Sequence, residues 1–388
     1  MAALRTRMTA RDTTESHRVS SPLELLFDLT FVVAVAQIAA ALAHAIEQGH
    51  TSQVLGPYCM VFFAIWWAWM NFTWFASAYD TDDVPYRLLT LLQMGGVLVL
   101  AAGVGPAIGD SQDYRWVTLG YFIMRIALVA QWVRAAVQHP EGRTTALRYA
   151  GGILVVQALW IARLALPGEV QFWVFLLLAA LELCVPPWAE RTGTTAWHPH
   201  HIAERYGLFV IILLGESVAA SMTGVQAAIE EGLTGEVVAI ATSGLVLLFA
   251  LWWLYFSEPA GEGLERNRNR SFYWGYGHYF VFAALAAIGA GLEVAVASAS
   301  RGEHFAATDP QVGYAVAIPL AIFLVLLWVL HAPLVERVTV SPVAIVVAVA
   351  LVLVLPMLGL DVAVTLGAIS LVTVLLLAVT LSRRTVRA

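Results

Sequence analysis

The chain has 388 residues, 60% of them apolar and only 12% charged, and its mean hydropathy of +0.76 lies far above the range of water-soluble domains. This composition excludes a soluble globular protein and predicts an all-α polytopic transmembrane helical bundle. The net charge of −6, with no basic patch, gives no sign of a nucleic-acid partner. The partners expected are the lipid bilayer and a small molecule or ion as substrate. No cofactor signature is present. Cys59 and Cys184 lie in apolar stretches without metal-ligand or redox spacing.

Residues 1–20 are polar and Arg-rich and lack the apolar core of a signal peptide, so a disordered cytoplasmic tail is expected there. Apolar segments of membrane-crossing length then follow at 22–46, 54–78, 86–106, 115–138, 145–166, 170–188, 202–226, 236–257, 272–298, 311–332, 341–360 and 361–381. This predicts about twelve helices: a first half at 21–188, a cytoplasmic linker at 189–201, a second half at 202–381 and a tail at 382–388. Only Gly359-Leu360-Asp361 separates the last two segments, which leaves two helices or one broken helix. Ser21-Pro22, Asp309-Pro310 and Ser341-Pro342 each read as an N-cap followed by proline at the first helical position.

The first segment opens Ser21-Pro22-Leu23-Glu24-Leu25-Leu26-Phe27-Asp28. Ser21 and Glu24 have capping-box spacing, so Glu24 is expected to be a structural cap. Asp28 shares the face of Glu24 but lies too deep to cap, where an unpaired acid is costly. Trp66, Trp67, Trp69 and Trp74, with Trp252 and Trp253 in the second half, read as an aromatic belt. Arg125 is the one Arg deep within a segment; it cannot shed its proton and needs a carboxylate, with Glu182 and Glu216 at suitable depth. His198-Pro199-His200-His201 precedes Glu204-Arg205, and His200, His201 and Glu204 form a weak zinc-type ligand set. Glu204 and Arg205 are either interfacial charges or part of a site. Glu216 follows Glu204 by twelve residues, roughly 18 Å of helix, and is the first candidate for a coupling carboxylate near mid-membrane. His278 can titrate near neutral pH or serve as a bonded core residue. Glu293 is expected at the interface.

Trp66-Trp67 and Trp252-Trp253, Glu24 and Glu204, and Gln93 and His278 recur in the same order at similar spacing. They suggest a parallel 6+6 repeat of the kind some transporters use.

Glu24-Leu25-Leu26-Phe27-Asp28-Leu29-Thr30-Phe31-Val32 with Gln37, and His201 through Phe209 running into Leu214-Gly215-Glu216-Ser217, resemble the bacterial low temperature requirement A family of integral membrane proteins. Thr30 stands where an apolar residue is expected. The likeness extends through about the ninth segment; the last helices are only generically hydrophobic. The resemblance implies an architecture and a set of residues, but no substrate, because the family's name refers to growth at low temperature and carries no biochemical activity.

The leading expectation is a secondary transporter or proton- or cation-linked permease. Asp28, Gln37, Gln93, Arg125, Glu204, Arg205, Glu216 and His278 would be its substrate- or ion-coupling residues. The alternative is a non-transporting membrane protein of cold or envelope adaptation, and a membrane-embedded metalloenzyme ranks third. Transport needs buried charges that meet a water-accessible space, whereas a scaffold needs them paired and dry.

Seventeen of the 21 basic residues, all of them Arg, fall on the side shared by the two termini. The positive-inside rule therefore places both termini in the cytoplasm of a bacterial plasma membrane. A reporter fused after Arg387 is expected to read cytoplasmic and one inserted at 227–235 external; an external C-terminal reporter would reverse the topology.

Overall fold

The structure is a computed structural model that describes residues 4–12, 15, 19–109, 111–232, 234–258, 260–299, 305–334 and 340–385. Every regular element among them is helical. Among the described residues, eleven helices are long and apolar enough to cross a membrane, and Pro342–Leu358 is a shorter apolar one. The elements divide into two compact units, Met1–Ile38 with Pro57–Arg205, and Ala39–Gly56 with Tyr206–Ala388.

The first unit is built on α1 (Pro22–Glu47) through Ile38, α2 (Thr51–Tyr79) from Pro57, and α3 (Val84–Ala102). It continues with the short α4 (Val104–Ile108), α5 (Arg115–Gln138), α6 (Arg143–Arg163), α7 (Gly168–Ala189) and the first turns of α8 (Pro199–Glu231). α1 starts where its capping box predicts. The Ser21 N–H donates to the Glu24 carboxylate at 2.8 Å, and the Glu24 N–H donates to Ser21 Oγ at 3.3 Å. α3 and α5 approach closely because Gly96 faces Gly120; a Cβ on Gly96 would lie 2.8 Å from the Gly120 carbonyl oxygen. Trp132 and Tyr149 stack with their ring centroids 4.2 Å apart and join α5 to α6.

The second unit holds the rest of α8, α9 (Gly235–Tyr255), α10 (Ala260–Arg266), α11 (Ser271–Ser298), α12 (Asp309–His331), α13 (Pro342–Val354) and α14 (Val362–Thr385). Residues 341–381 therefore form two helices. After α13 a 3₁₀ turn, Leu355–Leu358, ends at Gly359, whose φ of +68° suits glycine. The α12 cap is Thr308, one residue before the Asp309 expected from sequence, in a capping box with Gln311. The proline at the start of the helix holds in both cases.

Leu88, Trp173, Leu177, Phe249, Val346 and Leu371 are among many large apolar residues left exposed, as surfaces facing hydrocarbon require. The tryptophan belt is corrected in part. Trp252 and Trp253 are half exposed, but Trp66, Trp67 and Trp69 are fully buried.

The expected disordered tail also differs, since its described residues pack on the first unit. Met8 is fully buried, its N–H donates to Gln138 Oε1 at 2.7 Å, and the Thr6 N–H donates to Asp83 at 2.8 Å. Extended backbone satisfies its polar groups on the helix ends here, a possibility composition alone does not reveal. Asp83 is the anchor. It caps α3 by accepting from the Tyr86 N–H at 3.0 Å and takes two bonds from Arg134, at 2.8 and 2.5 Å.

Burial pushes the Asp83 carboxyl up, but Arg134 and the Thr6 and Tyr86 N–H groups outweigh it and hold the carboxyl below its ordinary range. A lowered folded-state value means stability that is present above the ordinary carboxylate pKa and lost as pH falls through the lowered one. Asp83→Ala is expected to destabilise the protein by at least the ~0.5–2 kcal/mol of a lost cap. In thermal melts of detergent-solubilised protein, the gap from wild type should be full near neutral pH and close on acidification. A gap independent of pH would remove the charge from the explanation.

Candidate functional site

The two sequence patches that carry the family likeness meet at one buried cluster in the first unit. α1 supplies Glu24 and Asp28 on one face, and the first turns of α8 supply His201 and Arg205, also four apart. The Arg205 guanidinium is fully buried and forks onto Asp28, Nε to Oδ2 at 2.9 Å and Nη2 to Oδ1 at 2.5 Å, while Nη1 reaches Glu24 Oε1 at 2.8 Å. Trp69 Nε1 donates to Asp28 Oδ1 at 2.7 Å, and His201 Nε2 lies 3.1 Å from Glu24 Oε1. Glu24 is thus both a cap, as expected, and an ion-pair member. Two carboxylates face one guanidinium, so a proton held at His201 or a carboxylate brings the cluster to neutrality, the state a low dielectric favours.

A second buried site lies in the same unit. Glu182 of α7 accepts from Trp67 Nε1 at 2.7 Å, Tyr121 Oη at 2.8 Å, Trp160 Nε1 at 3.2 Å and Arg125 Nη2 at 3.1 Å. Arg125 also donates to the Tyr121 hydroxyl and lies over that ring at 4.5 Å. Of the two carboxylates at suitable depth, Glu182 is therefore the partner of Arg125.

Gln93 is buried and donates to Gln131 Oε1 at 2.9 Å, and Gln131 donates to Thr90 Oγ1 at 3.2 Å. Gln37 is exposed, apart from both clusters. Glu204 is half-buried and, among the described residues, accepts a long bond from the Ser20 N–H, at 3.3 Å. His200 is exposed whereas His201 is buried against Glu24. Among the described residues, no three His, Cys, Asp or Glu side chains come together in a metal-holding arrangement. The set His200, His201 and Glu204 is therefore not assembled.

In the second unit His278 is a bonded core residue. Its Nδ1 pairs with the Trp274 carbonyl at 2.8 Å and its Nε2 with the Tyr255 hydroxyl at 3.1 Å, and Tyr206 meets it edge-on at 4.9 Å. Glu216 of α8 is half-buried, and among the described residues no hydrogen bond or ion pair reaches its carboxylate. Glu293 of α11, also half-buried, feels the charges of both Glu47, at the end of α1, and Glu216. Positions paired by the sequence repeat do not share environments. Trp66 and Trp67 are buried where Trp252 and Trp253 are exposed, and Glu24 binds Arg205 where Glu204 accepts from the Ser20 backbone.

Sequence reading passed over the indole donors Trp67, Trp69 and Trp160 and the phenol of Tyr121. The available signal was that an indole N–H buried in a membrane segment needs an acceptor, which a deep carboxylate supplies.

Arg205→Ala strands Glu24 and Asp28 without a counter-charge, a loss of about 3–5 kcal/mol for a buried pair. A lower melting temperature and a smaller folded yield are expected. Adding Asp28→Asn should recover part of the loss in a double-mutant cycle, and strictly additive effects would refute the coupling.

A family model described as bacterial low temperature requirement A protein matches residues 19–380. An uncharacterized protein of Rhizobium meliloti (strain 1021) is 25% identical over 286 residues, which is 70% of this chain and 66% of that relative. The chain thus spans just under two thirds of the relative's length. No solved structure matches.

Proposed function

Since the chain belongs to the bacterial low temperature requirement A family, a family of multi-pass membrane proteins, we propose that it is a proton- or cation-linked permease of the plasma membrane with both termini cytoplasmic, whose exchanging group is Glu216. The observation that carries this reading is the contrast between the acids of the two units. Asp28, Glu24 and Glu182 are dry and held by arginine and indole donors. Glu216 lies within a membrane span, half-buried, with no ion-pair partner among the described residues, and its charge bears on Glu293, as that of Glu47 does.

An acid in that setting has two ways to lower its energy, to take up a proton or to share a cation with its neighbours, and both are reversible. Such a group suits coupling. A carboxylate locked by a bidentate guanidinium does not, because releasing it strands a charge. Asp28 and Arg125, expected from sequence among the coupling residues, are better read as locks that hold helices together. Their pairing supports the second reading, a non-transporting membrane protein, in which every acid serves packing and Glu216 is idle.

Glu216→Gln separates the two. It keeps size and hydrogen bonding but cannot titrate. The expected result is a protein with a near-wild-type melting temperature that no longer shows pH-gradient-driven proton or cation flux in proteoliposomes, falling at least tenfold. Flux equal to wild type would sink the coupling role, and absence of flux in wild type across monovalent cations and protons would favour the second reading.

A further inference from the structure

The last turn of α6 carries a third buried arginine, besides Arg125 and Arg205, that none of the preceding sites uses. Arg163 is 3% exposed, and its Nε donates to the Gln171 carbonyl at 3.1 Å. Its Nη2 is buried with no acceptor, and among the described residues no carboxylate comes within ion-pair distance of the guanidinium. Arginine stays charged at any attainable pH. The charge is screened by three ring faces instead, Tyr114 at 5.0 Å, Phe175 at 5.7 Å and Trp160 at 5.8 Å. Aromatic faces attract the cation and orient its plane, but they offer no acceptor for an N–H in that plane.

Arg163 lines a cavity of about 30 Å³ in the first unit, together with Tyr114, Thr118, Tyr121, Trp160 and Phe175. That space exceeds the roughly 10–15 Å³ needed for one water but not by much. No acid is among the lining residues, the Glu182 carboxylate behind them is offset by its ion pair with Arg125, and Thr118 and Tyr114 bring hydroxyls that can donate to an anion. Tyr121 and Trp160 donate to Glu182 from the same wall, so their polar hydrogens are already engaged and Arg163 is left as the principal donor.

We infer that this cavity is a binding site for a small monovalent anion of a few atoms, of the size of chloride, nitrate or formate, held by the Arg163 guanidinium within its aromatic cage. The inference concerns binding in the first unit and does not rest on the coupling role of Glu216. An anion there supplies the acceptor that Nη2 lacks and the counter-charge that a buried guanidinium requires. The cage walls exclude larger organic anions, and a phosphate on a lipid headgroup is the rival source of the same charge.

The test uses the full chain purified in a maltoside detergent free of phospholipid. Equilibrium binding of radiolabelled chloride and formate is measured for wild type, Arg163→Gln and Thr118→Val, with melting temperature followed in chloride, nitrate, formate and gluconate at constant ionic strength. Wild type is expected to bind one small anion per chain saturably and to melt higher in chloride, nitrate or formate than in gluconate. Arg163→Gln should lose saturable binding and the salt-specific shift together, and Thr118→Val, which leaves the charge in place, should weaken binding several-fold while folding normally. Saturable binding that survives Arg163→Gln overturns the assignment, as does a wild-type melting temperature indifferent to the choice of anion. If added phosphatidylglycerol raises the melting temperature of wild type but not of Arg163→Gln while no free anion binds, the occupant is a lipid phosphate and the small-anion assignment fails.

Discussion

A guanidinium cannot discharge itself in a membrane, so each arginine within this bundle dictates what surrounds it. Arg205 illustrates the constraint most fully. Three of its N–H donors are engaged, two meeting Asp28 in a two-pronged fork and one reaching Glu24 from the side, and those bonds tie the start of α8 to the start of α1. Because both carboxylates lie on one face of α1 and both His201 and Arg205 lie on one face of α8, two short sequence patches far apart in the chain become a single piece of chemistry. Asp28 accepts a third donor from Trp69 on α2, so three helices converge on one oxygen-rich point, and the orientation of each is set by the need to leave no lone pair in hydrocarbon.

Arg125 and Glu182 repeat the solution with different parts. Here the indoles of Trp67 and Trp160 and the phenol of Tyr121 complete the carboxylate, and aromatic side chains serve as rigid donors that bring their own apolar area. Indole N–H groups are neutral, cannot deprotonate in any accessible range, and satisfy an acid without adding charge. This is a scaffold's use of polarity. It binds helices into one arrangement at the cost of any group that could let go.

The acids of the second unit follow another rule. Glu216, Glu293 and Glu47 come from three different helices, each is half-buried, and the charges of Glu47 and Glu216 both bear on Glu293. Histidine, the residue most often drawn to such roles, is withdrawn from it: His278 has both ring nitrogens engaged by Trp274 and Tyr255 and His331 has its Nδ1 on the Leu327 carbonyl. Both imidazoles are thus engaged, and the exchange proposed for this unit falls to a carboxylate.

Composition and segment length were enough to establish the membrane bundle, the positions of most helices and several of their caps, because hydropathy and capping are local properties that the bilayer and the backbone impose wherever a segment lies. That Asp28 needs a partner was also legible, through the cost of charge at depth, whereas Glu24 read as a cap and Arg205 as either an interfacial charge or part of a site. Which acid meets which arginine was not. Arg125 had two carboxylates at suitable depth, and only the packing of α5 against α6 and α7 brings Glu182 rather than Glu216 to it. Trp67 and Trp69 looked like interfacial anchors because an indole suits both a membrane surface and a buried acceptor, and the sequence carries no record of which way a helix is turned. Pairing across helices depends on rotation about the helix axis and on side-chain reach, which are decided only when the whole bundle closes around its buried charges.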